Sequence, residues 1–286
     1  MSNAVLQEAV TRRQRLAYRR RVRNAQRALG RLEDRSSLLV RKAMAQAKRN
    51  LIGSIEFASG DFEQWFLPQM LDAVKTASID YQHSLAGTML DATTSAAELG
   101  GARAAASAQA IGINIPGVPI GVPHQPLQLA AQLIPEFVQG ESKLVLDSIA
   151  RTLRLSMAGG LTKAEMTARV KSKLTKVLSF KGKQSRAEAI VRTEVHRVHN
   201  AAHLEGAKRL ETENVKVFKV WVAADDHRTR PEHNIMDGRR VEVGKRFPYP
   251  GLPKSRWPMY PLDPVLPAGQ SINCRCTMIE EFEVTE

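Results

Sequence analysis

The chain reads as a predominantly helical α+β protein: a long basic N-terminal helix and a helical bundle, followed by a C-terminal helix with a small antiparallel sheet. Three observations predict this. Hydrophobic residues make up 43% of the 286 residues but aromatics only 5%, and an alanine-rich composition favours packed helices over sandwich or barrel strands, which want aromatic and β-branched side chains. No proline occurs before Pro68, so the front of the chain carries no helix breaker of that kind. The clearest two-residue alternation, Val215-Lys-Val-Phe-Lys-Val-Trp-Val222, comes late, after several helical patterns. No apolar run approaches the roughly 18 residues of a membrane span. The N-terminus also lacks the hydrophobic core of a secretory signal.

Taken in order, residues 1–111 form a basic helical arm and a helical region. From Tyr18 the apolar and small residues fall at Val22, Ala25, Leu29, Leu32, Ser36, Leu39 and Ala43. Their alternating steps of three and four are a heptad seam, which predicts a long helix that packs a narrow stripe on a partner. Self-association through this helix is one such expectation. Gly30 weakens the helix slightly. Residues 61–111 read as helical, with Asp61 as N-cap. Residues 112–126 hold four prolines and three glycines and read as a linker. Residues 127–182 form a helical segment, with helices over about 127–139 and 141–157 and a third opened by the capping box Thr162-Lys-Ala-Glu165. A second box, Ser185-Arg-Ala-Glu188, opens a helix through about Leu210, and residues 183–286 form an α+β domain. Arg240–Val243 and Thr277–Val284 are its further strands. The loop 244–270, with Phe247, Tyr249, Trp257 and Tyr260, is expected to cover the small sheet.

The net charge of +13 is concentrated at the front: residues 1–50 hold 14 Lys/Arg against 3 Asp/Glu, leaving +2 for the rest. Arg12, Arg13, Arg15, Arg19, Arg20, Arg21, Arg23, Arg27, Arg31 and Arg35 are the candidate polyanion contacts, since guanidinium forks bind phosphate and displace counterions. A solvated basic face on an ordinary bundle helix is the competing reading.

On the 185–210 helix, Ala187, Ile190, Val191, Val198, Ala201 and Ala202 form one apolar stripe with Glu194 in its middle. A buried carboxylate needs a partner, and Arg228, Arg230 or Arg275 is expected to supply it. A general base is the functional alternative. His196, His199 and His203 share the opposite face beside Arg192 and are expected to be exposed. Cys274 and Cys276 stand two apart at a strand entry, where a disulfide would be strained. A reduced, intracellular assembly setting is therefore expected. His227, His233, Asp225, Asp226 and Asp237 also lie close together in sequence, and such a set could organise a metal-dependent nuclease.

Arg192-Thr193-Glu194, then Trp221 with Asp226, Arg228, Arg230, His233, Asp237 and Gly238, and finally Asn273-Cys274-Arg275-Cys276, together resemble the Mu F-like head-morphogenesis family of tailed phages over roughly residues 140–284. The resemblance implies a structural minor head protein, not an enzyme, present in the virion interior and in the host cytoplasm during assembly. It further implies portal, major capsid or scaffold protein as partners, and a role in head morphogenesis, DNA packaging or ejection. Double-stranded DNA would be met through its phosphates by the basic helix. The alternative is a nuclease or toxin-type enzyme carried in the virion. Relatives carry Cys-x-x-Cys where this chain has Arg230-Pro-Glu-His233, and a histidine where it has Ser271. Of that zinc-type ligand set His233, Cys274 and Cys276 remain, with His227 as a fourth candidate; an arginine–carboxylate network around Asp226 and Glu194 is expected to replace the metal in crosslinking the strands, so no cofactor is expected, with zinc as the alternative.

Overall fold

The computed structural model describes residues 3–57, 66–109, 124–178 and 186–284. The predicted caps at Asp61 and Ser185, and most of the linker, lie outside the described residues. The elements run α1 (Asn3–Phe57), α2 (Phe66–Gln109), α3 (His124–Ala158), α4 (Lys163–Leu178), α5 (Arg186–Lys208), β1 (Val215–Val222), α6 (Pro231–Met236), β2 (Arg240–Glu242), α7 (Ala268–Ser271) and β3 (Thr277–Val284). A single 3-10 turn covers Lys254–Arg256. The fold is thus predominantly helical α+β, with one three-stranded antiparallel sheet in the order β2-β1-β3.

Two compact units interleave along the chain: Met1–Asp34, Thr93–Leu127 and Thr193–Glu286 form one, Arg35–Ala92 and Gln128–Arg192 the other. The expected segments 1–111, 127–182 and 183–286, by contrast, follow one another in sequence.

The second unit is helical and is specified by apolar periodicity. Val40, Met44, Ala47 and Leu51 of α1 are buried, as are Met70, Val74, Ala77, Tyr81, Leu85 and Met89 of α2. Ile134, Val138, Val145, Ile149 and Leu153 of α3, and Met166, Val170 and Leu174 of α4, continue the pattern. Steps of three and four put each set on one helical face. The Thr162 box forms as predicted: Glu165 Oε2 accepts from the Thr162 N–H and hydroxyl, both at 2.8 Å. Ion pairs Arg41–Glu188 (3.0 Å) and Arg186–Glu141 (3.6 Å) join α1 to α5 and α5 to α3. The break predicted near residue 140 is absent. α3 runs through Pro135 and Gly140 and takes in the last residues of the predicted linker, because fully buried Ile134 and Val138 hold the turn that Pro135 weakens.

The α1 seam also differs from its predicted register. Leu29, Glu33, Ser36, Val40, Met44, Ala47 and Leu51 are buried, whereas Leu39 is 38% exposed. From Leu29 to Val40 to Leu51 the repeat is eleven residues, not the seven of a left-handed heptad supercoil. From Leu29 onward this stripe is covered by the chain itself.

In the first unit, β1 pairs along its whole length with β3, from Val215 opposite Val284 to Val222 opposite Thr277. It pairs with β2 from Phe218 opposite Glu242 to Val220 opposite Arg240. Val215 and Val217 join Leu204, Ala207, Val243 and Met278 in one cluster, and Trp221 joins Phe247, Tyr249, Leu262, Cys274 and Cys276 in another. Val220, Val222 and Ile279 fill the opposite face. The loop after β2 therefore covers the sheet, as its aromatic content predicts. Lys219 is buried on the covered face, its ammonium donating to the Met259 carbonyl at 2.7 Å and lying 5.2 Å from the Phe247 ring. Burial, with Lys208 nearby, lowers its pKa to about 7.

Candidate functional site

The site is built outward from α5, which is buried on nearly every side from Val191 to Leu204. The expectation of an exposed histidine face is overturned: His196, His199 and His203 are at most 2% exposed. Each meets a polar group from elsewhere in the chain, which a helix read in isolation does not show. His196 Nε2 lies 3.2 Å from Glu33 of α1. Arg103 of α2 donates to His199 Nε2 at 3.4 Å. His203 faces Glu280 of β3. Burial, reinforced by Arg103 and the flanking histidines, holds the His199 pKa well below the usual range. Burial pushes the Glu280 carboxyl up, but His203 and Arg103 outweigh it and the net shift is downward. α2 and α5 approach closely here, and a Cβ on Gly100 would run into the His199 carbonyl oxygen.

Asn200, which sequence reasoning missed, ties α5 to the C-terminal chain. Its amide donates to the carbonyls of Pro261 (3.1 Å) and Cys276 (3.0 Å), and its oxygen accepts from the Thr277 hydroxyl (3.0 Å). No spacing rule marks such a residue.

The signature residues occupy bracing positions. Arg192 is half-buried, and the Thr193 hydroxyl accepts from the Asn273 N–H at 3.1 Å. Asn273 has φ 59, a left-handed conformation that asparagine tolerates. Glu194 is buried as predicted, but its partner is Arg197, one turn on, at 2.8 Å, not Arg228, Arg230 or Arg275. Burial raises its pKa and Arg197 pulls it back. The helix supplies its own counter-charge, so the loop arginines are free for other work. Asp226 takes two of them: Arg275 at 2.6 Å and Arg228 at 3.9 Å. Arg230 donates to the Ile272 carbonyl at 2.7 Å. Asp237 accepts from the Ala223 N–H at 2.8 Å, and Gly238 (φ 74) returns its N–H to the Trp221 carbonyl at 2.9 Å. Trp221 is fully buried, edge-on to Phe247.

Arg20, Arg23, Arg27, Arg31 and Arg35 are exposed on α1; the side chains of Arg12, Arg13, Arg15, Arg19 and Arg21 lie outside the described residues. Gln26 of α1 donates to the Ala223 carbonyl at 2.8 Å. A cavity of about 320 Å3 opens beside that contact, lined by Gln26, Gly30, Glu33, Asp34, His196, Arg228 and Arg275. A Cβ on Gly30 would meet nothing within 4 Å.

His233, Cys274 and Cys276 lie together. Their ligand atoms lie within 4.8 Å of one another and all three residues are buried, the one such group of three among the described residues. His233 Nδ1 is 3.2 Å from Cys276 Sγ and 3.4 Å from Cys274 Sγ. Both cysteines are free thiols. Burial pushes the Cys274 thiol up, but hydrogen bonds with Cys276 and the charges of Arg230 and Arg275 bring it below its ordinary value. Cys276 is pushed well above its own by the hydrogen bond with Cys274 and by burial. Two sulfurs and an imidazole are a donor set that suits zinc. The exposed His227 does not join them, nor do Asp225, Asp226 and Asp237, so the residues expected of a metal-dependent nuclease do not converge.

Residues 147–279 match the family model described as Phage Mu protein F like protein. Minor head protein GP7 of Bacillus phage SPP1 is 27% identical over 148 residues, 51% of this chain and 44% of that protein. NAD(+)–arginine ADP-ribosyltransferase EFV of Enterococcus faecalis is 27% identical over 134 residues, 47% of this chain and 26% of that protein. The chain thus spans less than half the length of either relative. No solved structure matches it. The matched residues 147–279 take in α5, β1, β2 and the loop braces, and over that span the chain is similar to the Phage Mu protein F like family.

Proposed function

We propose that this protein is a structural minor head protein of a tailed phage, resident in the capsid interior after assembly in the host cytoplasm. In this reading the Mu F-like region docks on portal, capsid or scaffold protein, and the front of α1 touches packaged double-stranded DNA. The head role is supported by the family match and the relative named as a minor head protein. No helix among the described residues is long and apolar enough to cross a membrane.

The DNA contact rests on one observation: Arg20, Arg23, Arg27 and Arg31 are all exposed. At 100° and 1.5 Å per residue they fill an arc of about 80° over about 17 Å of helix. Four phosphates neutralised by such a row give a log–log salt slope near −3.6. Binding of a DNA duplex should then fall on the order of a hundredfold between 50 and 200 mM salt, and changing all four arginines to Gln should remove it. Salt-insensitive binding, or no binding by the unaltered chain, overturns this contact. Salt-sensitive binding to purified portal alone assigns the row to an acidic protein surface.

The residues also fit a metal. We propose that His233, Cys274 and Cys276 hold a zinc ion, which when bound supplies a structural crosslink between α6 and the entry to β3. The chain's own contribution is a rigid frame: Arg230 clamps the start of α6 to Ile272, and the Cys276 N–H points at Cys274 Sγ at 3.4 Å. Metal analysis of the protein purified without chelator tests this; fewer than about 0.1 zinc per chain rejects it.

A further inference from the structure

One end of His233 faces the two thiols; its other end is also engaged. His233 Nε2 lies 3.1 Å from Gln270 Oε1, and the same oxygen accepts the Tyr249 hydroxyl at 2.9 Å. An amide oxygen has two lone pairs and no proton, so it takes one donor from each side. In the neutral ring the proton of His233 therefore sits on Nε2, which leaves the Nδ1 lone pair facing Cys274 and Cys276. The ring is also fixed in plane: Trp221 and Tyr249 stand edge-on to it, with centroids 6.0 and 6.1 Å away.

We propose that Gln270, held by Tyr249, is the positioning residue that keeps His233 in the metal-accepting tautomer. This rests on the zinc reading above. A metal-binding imidazole needs its free nitrogen aimed inward, and an acceptor on the outer N–H fixes both tautomer and ring angle. Gln270 lies on α7 and Tyr249 in the loop after β2, so two further elements converge on a site whose ligands come from α6 and the entry to β3. Sequence spacing does not mark either residue as part of the site.

The test uses the full-length protein with Zn(II) and Co(II) as probes. Zinc affinity is read by competition with a chelating indicator, cobalt coordination by its thiolate charge-transfer absorption, and the His233 tautomer by nitrogen chemical shifts of the metal-free protein. Gln270→Leu is expected to weaken zinc binding about 10- to 100-fold, to alter the cobalt spectrum, and to lose the single Nε2–H tautomer. Gln270→Glu keeps an acceptor oxygen and should retain both affinity and tautomer. Tyr249→Phe should cost less than Gln270→Leu. If Gln270→Leu binds zinc and cobalt as the unaltered chain does, the positioning role is overturned while the metal site stands. If the unaltered chain binds neither metal, the site reading itself is lost. Should Gln270→Leu fail to fold by circular dichroism, the other two variants decide: a Gln270→Glu chain that binds zinc tenfold more weakly beside an unchanged Tyr249→Phe chain also overturns the role.

Discussion

The two compact units solve the same problem by opposite means. In the helical unit the buried polar side chains are mostly hydroxyls, such as Ser36, Ser37, Ser78, Ser142, Ser156 and Thr167, with Glu141 the acidic member. The unit built around α5 and the sheet buries Glu33, Glu194, His196, His199, Asn200, His203, Lys219, His233 and Glu280. The first is specified by where its apolar residues recur; the second by which polar group meets which. Buried polar networks are costly when incomplete and rigid when complete, so one lost partner should matter far more in the second unit.

The sharpest way to break this contrast is Glu280→Ala. It strands His203 and the nearby Arg103 without their carboxylate, and removing one partner of a buried pair costs about 3–5 kcal/mol. Urea unfolding of the two chains at neutral pH measures it. Because the folded pKa of Glu280 is depressed, its contribution is present above the unfolded value of about 4.3 and is lost as pH falls through the folded one. A loss under about 1 kcal/mol would show that apolar packing, not the network, holds this unit.

Next in size is Gly100→Ala. The added methyl meets backbone rather than a flexible side chain, so overpacking of about 1–3 kcal/mol is expected despite the better helix former. A higher melting temperature for this variant would mean that α2 and α5 can part without loss.

Lys219 gives the sheet-containing unit a pH signature. Its ammonium titrates near 7 in the fold and near about 10.4 unfolded, so the unfolded chain binds the extra proton between those limits. Stability should rise from pH 7 to pH 9, and Lys219→Met should flatten that rise in urea-midpoint measurements. An unchanged slope would place the titration elsewhere.

The smallest effect sharpens the comparison from the other side. Ser156 is 1% exposed, and its hydroxyl has no hydrogen-bond partner among the described residues. Ser156→Ala should leave the melting temperature within about 1 °C, or raise it, since no bond is lost and helix propensity improves.

The same contrast explains what was legible in the sequence. The strand bounds at Val215–Val222 followed from alternation, and the Thr162 box from a four-residue rule; both signals are local. The α1 register was misplaced by one position at Leu39 because Glu33, polar and buried, broke the apolar rule. The histidine row was read as exposed for a related reason: its partners Glu33 and Glu280 lie 163 and 77 positions away from His196 and His203. Glu194 was rightly placed in the interior but assigned loop arginines, although Arg197 stood three residues along the same helix. That Cys274, Cys276 and His233 belong together was implied by the family resemblance, not by their spacing in the sequence. Gln270 and Tyr249 were not found, since hydrogen-bonding partners of a ligand carry no spacing rule of their own.

Gln26 meets Ala223 across 197 positions of chain. During synthesis, then, the front of α1 emerges from the ribosome long before the loop that will cap it. Until that loop arrives, Leu29 and Glu33 lack the covering they have in the complete fold. Closure of this unit must therefore follow translation of β1, and loop closure over such a span is slow.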